Sequence, residues 1–260
     1  AVIMSQPGDY FNFFITSALT IADSDPIDMT TSSTNPALLL AAKGTPKGLV
    51  LFAEDAQFLL SAAEYIFSPN NAKITEISNY NYKSEVQPLS TGVSMLFVSE
   101  ADTYSKVFEM AVDSVDNRPQ VAEITRICPE YVPPNLLWGT QSPNNSFCIM
   151  GDRSPTMWMF KFFNQGNERA QAGWSKWEMP GHIHLAAFEN DTGYFVLFDG
   201  TRHVLAEMEI LDDPDNSPVQ SNLGKFTPSL DLLTYSTDLT FEVFDELNQK
   251  VYLKPGQYLP

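Results

Sequence analysis

The chain has 260 residues and only three histidines, His182, His184 and His203. His182 and His184 stand two apart, a spacing that can put both on one face of a strand. With His203 on a neighbouring strand, three imidazoles would make a metal-ligating set. The plainer reading is a pair of hydrogen-bonded or exposed histidines beside the Gly181 turn. Five carboxylates, Glu54, Asp55, Glu100, Asp102 and Asp152, recur in turns between apolar stretches. Two carboxylates about 5 to 9.5 Å apart in an aromatic-lined cleft can hydrolyse a glycosidic bond. Turn carboxylates also have a local use, because Asp hydrogen-bonds its own backbone. Asp212-Asp213-Pro214-Asp215-Asn216-Ser217 faintly resembles a calcium loop. It lacks the glycine at position six, and counted from Asp213 it has Gly224 where the bidentate Glu belongs. A solvated acidic turn is the better reading.

Other chemistries find less support. Gly44 and Gly48, in Gly44-Thr45-Pro46-Lys47-Gly48, lack the spacing of a phosphate-binding loop and the Ser or Thr that follows it. There is no Gly-x-Ser-x-Gly elbow and no His-Glu-x-x-His helix. Cys128 and Cys148 are too few for a disulfide framework or a zinc site and read as reduced packing residues, which fits assembly in a cytosol. The sequons at Asn144 and Asn190 carry little weight without secretion. The expectation is therefore no catalytic residue, no cofactor-binding residue, no metal ligand and no enzyme.

The elements that would position these groups are short strands. Met157 to Phe163 is apolar except for Lys161 and reads as a buried strand. Asn164-Gln165-Gly166-Asn167 supplies a tight turn, and Glu168 to Trp177 returns, giving a β-hairpin with a heavy aromatic face. Trp174 and Trp177 are three apart, so either both faces are covered or a bulge near Gly173 brings them together. The same unit recurs as apolar strand, acidic turn and apolar strand. It appears at Leu49 to Leu60, Ser94 to Met110, Phe147 to Met150 with the hairpin, and His184 to Ile210. The spacing of about 40 to 50 residues is that of propeller blades. Tyr10 to Phe14 and Thr16 to Asp28 read as two further strands, and Ala37 to Ala42 as a short helix or strand begun by Asn35-Pro36 and ended at Gly44.

These units predict an all-β fold, a propeller-like arrangement of short antiparallel strands, with a β-sandwich or barrel as the alternative. Residues 1–210 form the expected propeller-like domain. Residues 211–260 read as a polar, Pro-broken loop followed by a terminal hairpin, Leu239 to Phe244 with Lys250 to Leu253, as part of an adjoining domain. No apolar run approaches the roughly 20 residues of a membrane-spanning helix. Lys plus Arg number 15 against 32 Asp plus Glu, a net charge of −17. Such a surface repels phosphate backbones and disfavours tight nucleic-acid binding.

Several stretches carry a family resemblance. They are Ser5 to Phe14 (SQPGDYFNFF), Ala22 to Asp28 (ADSDPID), Leu51 to Phe58 (LFAEDAQF), Tyr80-Asn81-Tyr82, and Gly166 to Trp177 (GNERAQAGWSKW). In this order, along nearly the whole chain, they resemble the nozzle proteins (tail tubular protein B) of T-seven-type short-tailed bacteriophages. Family members are much longer, so the likeness is to an internal portion. It implies a structural protein of the virion tail, assembled in the host cytoplasm, and a homo-oligomeric, hexameric tube with propeller-like domains. It implies an adaptor (gatekeeper) ring above, attached tail fibres, and a channel through which genomic DNA passes without being held. Two other functions fit the residues alone: a tail hydrolase acting on polysaccharide, and a propeller scaffold that binds a protein.

Overall fold

A computed structural model describes residues 1–30, 38–62, 67–92, 94–101, 103–111, 119–142, 147–165, 168–189 and 192–209, and short paired segments between 220 and 253. Every regular element among them is a β-strand. The chain divides into two compact units, Ala1–Ile210 and Leu211–Pro260. No helix among the described residues is long and apolar enough to cross a membrane.

The first unit is a succession of antiparallel meanders. The first sheet runs β3 (Leu39–Thr45), β4 (Gly48–Ala53), β5 (Gln57–Ala62) and β6 (Ala72–Ser78). The second runs β7 (Leu89–Ser90), β8 (Ser94–Ser99), β9 (Lys106–Ala111) and β10 (Gln120–Glu123). The third runs β11 (Trp138–Gln141), β12 (Phe147–Gly151), β13 (Thr156–Gln165) and β14 (Glu168–Glu178). The fourth has three strands, β15 (His182–Glu189), β16 (Thr192–Phe198) and β17 (His203–Glu209). A two-stranded pair, β1 (Val2–Met4) with β2 (Ile27–Met29), precedes them. In each sheet spatial order follows chain order, and none closes into a barrel. The arrangement is all-β, as expected, and consistent with a propeller-like or sandwich-like packing of small sheets.

Alternation along each central strand decides what packs on what. Val50, Phe52 and Leu59 of the first sheet meet Met95, Phe97, Phe108 and Met110 of the second. The opposite face of β4 and β5, with Leu51, Phe58 and Leu60, is covered by Val2, Met4 and Met29. Leu96, Val98 and Val107 turn the other way, onto Cys148, Met150, Trp158, Phe160 and Phe162 of the third sheet. Phe147 then meets Phe188 of the fourth sheet edge-on, with ring centroids 5.2 Å apart. The central strands of the first three sheets are thus covered on both faces, which is why they read as nearly continuous apolar runs. Stacked sheets also bring the first strands β7, β11 and β15 close to one another.

The aromatic hairpin forms as β13 and β14, paired from Thr156↔Glu178 to Gln165↔Glu168. Gly166 and Asn167, expected in its turn, lie outside the described residues. The ladder is regular past Gly173, and the one irregularity falls between Phe163 and Asn164. No bulge brings the two tryptophans together. Trp174 pairs with Phe160 and packs with the core shared with the second sheet. Trp177 lies opposite Met157 and approaches Phe147, at 6.5 Å between ring centroids. The two tryptophans pack on opposite faces of the hairpin, so the plain strand geometry holds.

Three expectations need correction. Tyr10 to Phe14 is not a strand. It is an irregular segment fixed by side chains, with Gln6 Nε2 donating to Phe14 O (2.8 Å) and Asn12 Nδ2 to Gln6 Oε1 (3.1 Å). From Thr16 to Asp28 only Ile27 and Asp28 are in a strand, because the carboxylate of Asp25 accepts the backbone N–H groups of Thr16 and Ala22 and folds the stretch on itself. The element expected as a helix or strand at Ala37 to Ala42 is strand β3, which runs through Gly44 to Thr45, while Asn35 to Ala37 lie outside the described residues. The repeating unit was also read too narrowly. In the first three sheets two apolar strands are the middle of four, and the outer strands, such as β6 (AKITEIS) and β10 (QVAE), alternate exposed and half-buried residues.

Gly48 shows how a hairpin is held. Its φ is +142°, and a Cβ there would stand 2.2 Å from the backbone oxygen of Leu60. Only glycine lets β4 start this close to β5. In the second unit, β18 (Gln220–Ser221) pairs with β19 (Gly224–Lys225), and β20 (Phe241–Asp245) pairs with β21 (Lys250–Leu253). The expected terminal hairpin therefore forms and takes in Asp245, while Leu239 and Thr240 lie outside the described residues.

Candidate functional site

The three histidines all fall in the fourth sheet. His203 lies on β17, which pairs with β16 and not with β15. A register shift between Ile183 and Leu185 places His184 at an irregularity. Its ring then meets that of His203 edge-on, with centroids 4.8 Å apart, beside Phe198. His182 turns to the Arg153 carbonyl, 3.0 Å from Nδ1. Desolvation first, then the neighbouring His203, holds His184 below the usual histidine range. Among the described residues no three His, Cys, Asp or Glu side chains are grouped so as to hold a metal ion.

Two of the turn carboxylates, Glu100 and Asp152, are held by neighbouring groups. Glu100 pairs with Lys83 Nζ at 3.0 Å, and Lys83 also donates to the Pro134 carbonyl. Asp152 Oδ1 accepts the Ser154 N–H within its own turn. Glu54 and Asp55 are exposed in the β4–β5 turn, where the Glu54 carbonyl accepts the Tyr82 N–H. Asp102 lies outside the described residues, as do Asn144, Asn190 and Asp212 to Ser217. Gly44 to Gly48 is a plain hairpin connection, closed by Thr45 Oγ1 donating to the Gly48 carbonyl. A shallow notch beside it is lined by Lys43, Thr45, Ser90 and Ser94, and none of the five carboxylates borders it.

Both cysteines are free thiols. Cys148 is fully buried, and burial pushes its thiol up to about 12. A thiol reagent is therefore expected to titrate one group, Cys128, in the folded chain and two after denaturation. Rapid modification of both in the folded chain would contradict this packing.

A polar cluster absent from the sequence reading joins the second and third sheets. Arg169 Nη1 of β14 lies 2.6 Å from Glu109 Oε1 of β9, a charge contact whose angle is poor for a hydrogen bond. Ser94 Oγ donates to the same carboxylate and accepts from Arg169 Nη2. The guanidinium lies 4.8 Å from the Phe162 ring centroid and 5.4 Å from that of Phe160. Asn164 Nδ2 donates to the Thr91 carbonyl, and the Ser90 N–H donates to Gln141 Oε1. These contacts fix the rim between two sheets and present no nucleophile or paired acid and base. Arg169 and Glu109 are 60 residues apart in the chain, so no local spacing signals the pair.

The geometry therefore reads as packing and surface, with no assembled reaction centre among the described residues. Comparison with known proteins decides the family: the profile for bacteriophage nozzle proteins matches residues 1–254. The chain belongs to the bacteriophage nozzle protein family. That places it among structural proteins of the virion tail. It is also similar to tail tubular protein gp12 of Escherichia phage T7, with 26% identity over 193 residues, 73% of this chain. The chain spans about a quarter, 24%, of that relative's length. The family resemblance read from the short stretches between Ser5 and Trp177 is thus correct.

The first of those stretches, Ser5 to Phe14, opens a long exposed segment of the first unit. Tyr10, Phe11, Phe14 and Leu19 are 80%, 91%, 82% and 94% exposed. The Asp25 carboxylate, held below the usual aspartate range by the Thr16 and Ala22 hydrogen bonds, anchors this segment. A carboxylate with a lowered folded-state pKa contributes its full stabilisation above the unfolded value, about 3.9. That contribution is lost as pH falls through the folded value. Backbone amide exchange at Thr16 and Ala22 is expected to accelerate across that acid range, and at neutral pH in Asp25→Ala. Unchanged exchange in that variant would show that Asp25 does not anchor the segment.

Proposed function

We propose that this chain forms part of the wall of the distal tail tube, the nozzle, through which phage DNA leaves during infection. The match of the nozzle family profile over residues 1–254 carries the reading. In it the chain acts as a structural protein and not as an enzyme, within a homo-hexamer placed below the adaptor ring and bearing tail fibres. Residues 1–210 act as a propeller-like domain, and residues 211–260 belong to an adjoining one.

The net charge of −17 has a use in this setting. A wall of the same sign as DNA releases few counterions on contact, so it lets the duplex slide without trapping it. Acidic side chains confined to the outer wall of the tube would overturn this account of the charge. The test of the function is electron microscopy of the purified protein, alone and with its upstream tail partner. Six-fold rings with a central hole are the expected result. A monodisperse monomer under both conditions would overturn the tube reading, and release of reducing sugar from host envelope would replace it with the hydrolase.

A further inference from the structure

The first unit leaves two unlike apolar surfaces uncovered among the described residues, at the two ends of its succession of sheets. At the start lies the segment between β1 and β2, whose residues 10–22 (YFNFFITSALTIA) contain no charged side chain. Its rings and aliphatic groups point away from the core, with Phe11, Phe14, Leu19 and Ile21 at 66% exposure or more. The segment is nevertheless ordered by Gln6, Asn12 and Asp25, and tied to the β5–β6 connection by Asn70 donating to Asp23. A fixed arm loses less entropy on docking than a disordered one.

At the other end lies the outer face of β15–β17. Ile183, Phe195 and Leu197 of this sheet are buried. The alternate positions face outward, with Leu185 at 57% and Leu205 at 70% exposure, both in register with Val196. Phe198 stands between His182 and His203 on the same face, and His184 lies against it. All three histidines of the chain are thus gathered at one end of this face, while Glu189 and Glu207 lie toward the other.

We propose that the arm Tyr10–Ile21 of one copy docks on the outer face of β15–β17 of a second copy, forming the side-by-side contact of the tube. The inference rests on the tail-tube reading above. A ring of identical subunits needs a heterologous interface, one patch meeting a different patch on the neighbour. Copies with a net charge of −17 repel one another, so contact is least costly where carboxylates are absent. The uncharged arm and the imidazole-bearing end of the fourth sheet meet that condition. Size is adequate too. Four aromatic residues of the arm, at roughly 150–250 Å² each, approach the roughly 800 Å² per partner of a stable interface. Ring edges of the arm would pack against the flat Leu185, Val196 and Leu205 surface, and imidazoles would meet aromatic faces.

Cysteine cross-linking tests this in the full chain. In a Cys128→Ser background, Phe11→Cys and Leu205→Cys are made singly and together. Both positions are exposed, so folding is undisturbed. Mixing the two single variants is expected to give a disulfide-linked pair of chains under mild oxidation. Phe11→Ser with Phe14→Ser is expected to reduce self-association at least tenfold while leaving the thermal midpoint unchanged. A link formed only within one double-variant chain would overturn the proposal, since the arm would then cover its own fourth sheet. No link in a chain that forms six-fold rings would also overturn it while leaving the tube reading intact. Absence of rings and links together would remove both.

Discussion

Phe97→Ala is expected to destabilise the first unit by about 3–5 kcal/mol, the usual cost of truncating a buried phenylalanine. Phe97 is 1% exposed in the middle of β8. Its ring lies 5.4 Å from Phe52 of the first sheet and 5.3 Å from Phe108 on β9, centroid to centroid. Phe52 in turn lies 5.1 Å from Tyr82, whose hydroxyl donates to the Val86 carbonyl. The ring therefore joins two sheets and the segment between them. Removing it opens a cavity that rigid strands on both sides cannot close. Urea unfolding followed by fluorescence checks the value. Lys161→Ala, exposed on β13, is the control and should stay within about 0.5 kcal/mol. A loss under about 1 kcal/mol for Phe97→Ala would mean that the two sheets do not depend on this contact.

Arg169→Met is expected to cost roughly 3 kcal/mol, at the lower end for a broken buried ion pair because both groups retain some solvent. The side chains of Arg169 and Glu109 are 15% and 20% exposed. Without the guanidinium, the Glu109 carboxylate keeps only the Ser94 hydroxyl named above, and the Phe160 and Phe162 rings lose their cation. Arg169→Lys keeps the charge but not the planar fork, so it should recover about half of the loss. The double variant Glu109→Gln with Arg169→Met should be milder than the sum of the singles, with a coupling of about 1–3 kcal/mol. Additive losses would show that the pair is no more than two neighbouring surface charges.

The arm and the fourth sheet illustrate where reading a chain without its fold goes astray. Tyr10 to Phe14 is as aromatic as any strand of the core, yet it pairs with no strand among the described residues, and Gln6 and Asn12 take its polar groups instead. Composition signals burial only when a partner face exists. Short side-chain hydrogen bonds between residues six to nine apart leave no periodic trace in the sequence. The histidines were visible as a group, but their mutual placement depended on a register shift between Ile183 and Leu185 that no spacing rule predicts.

Fold class, the central strands and the family are legible in the chain alone. Runs such as Val50 to Ala53, Met95 to Val98 and Met157 to Phe160 are apolar on both faces because they lie between sheets, so burial is written in every residue. The remaining features emerge only once strands and sheets have met. Outer strands are half-exposed and carry a weaker pattern, so β6, β10 and β11 emerge only when a neighbour pairs with them. The opposite faces of Trp174 and Trp177 depend on the register with β13. The pairing of Glu109 with Arg169 and the meeting of His184 with His203 join residues from different strands. Such contacts depend on how strands and sheets come together, and that is a property of the whole chain rather than of any one stretch.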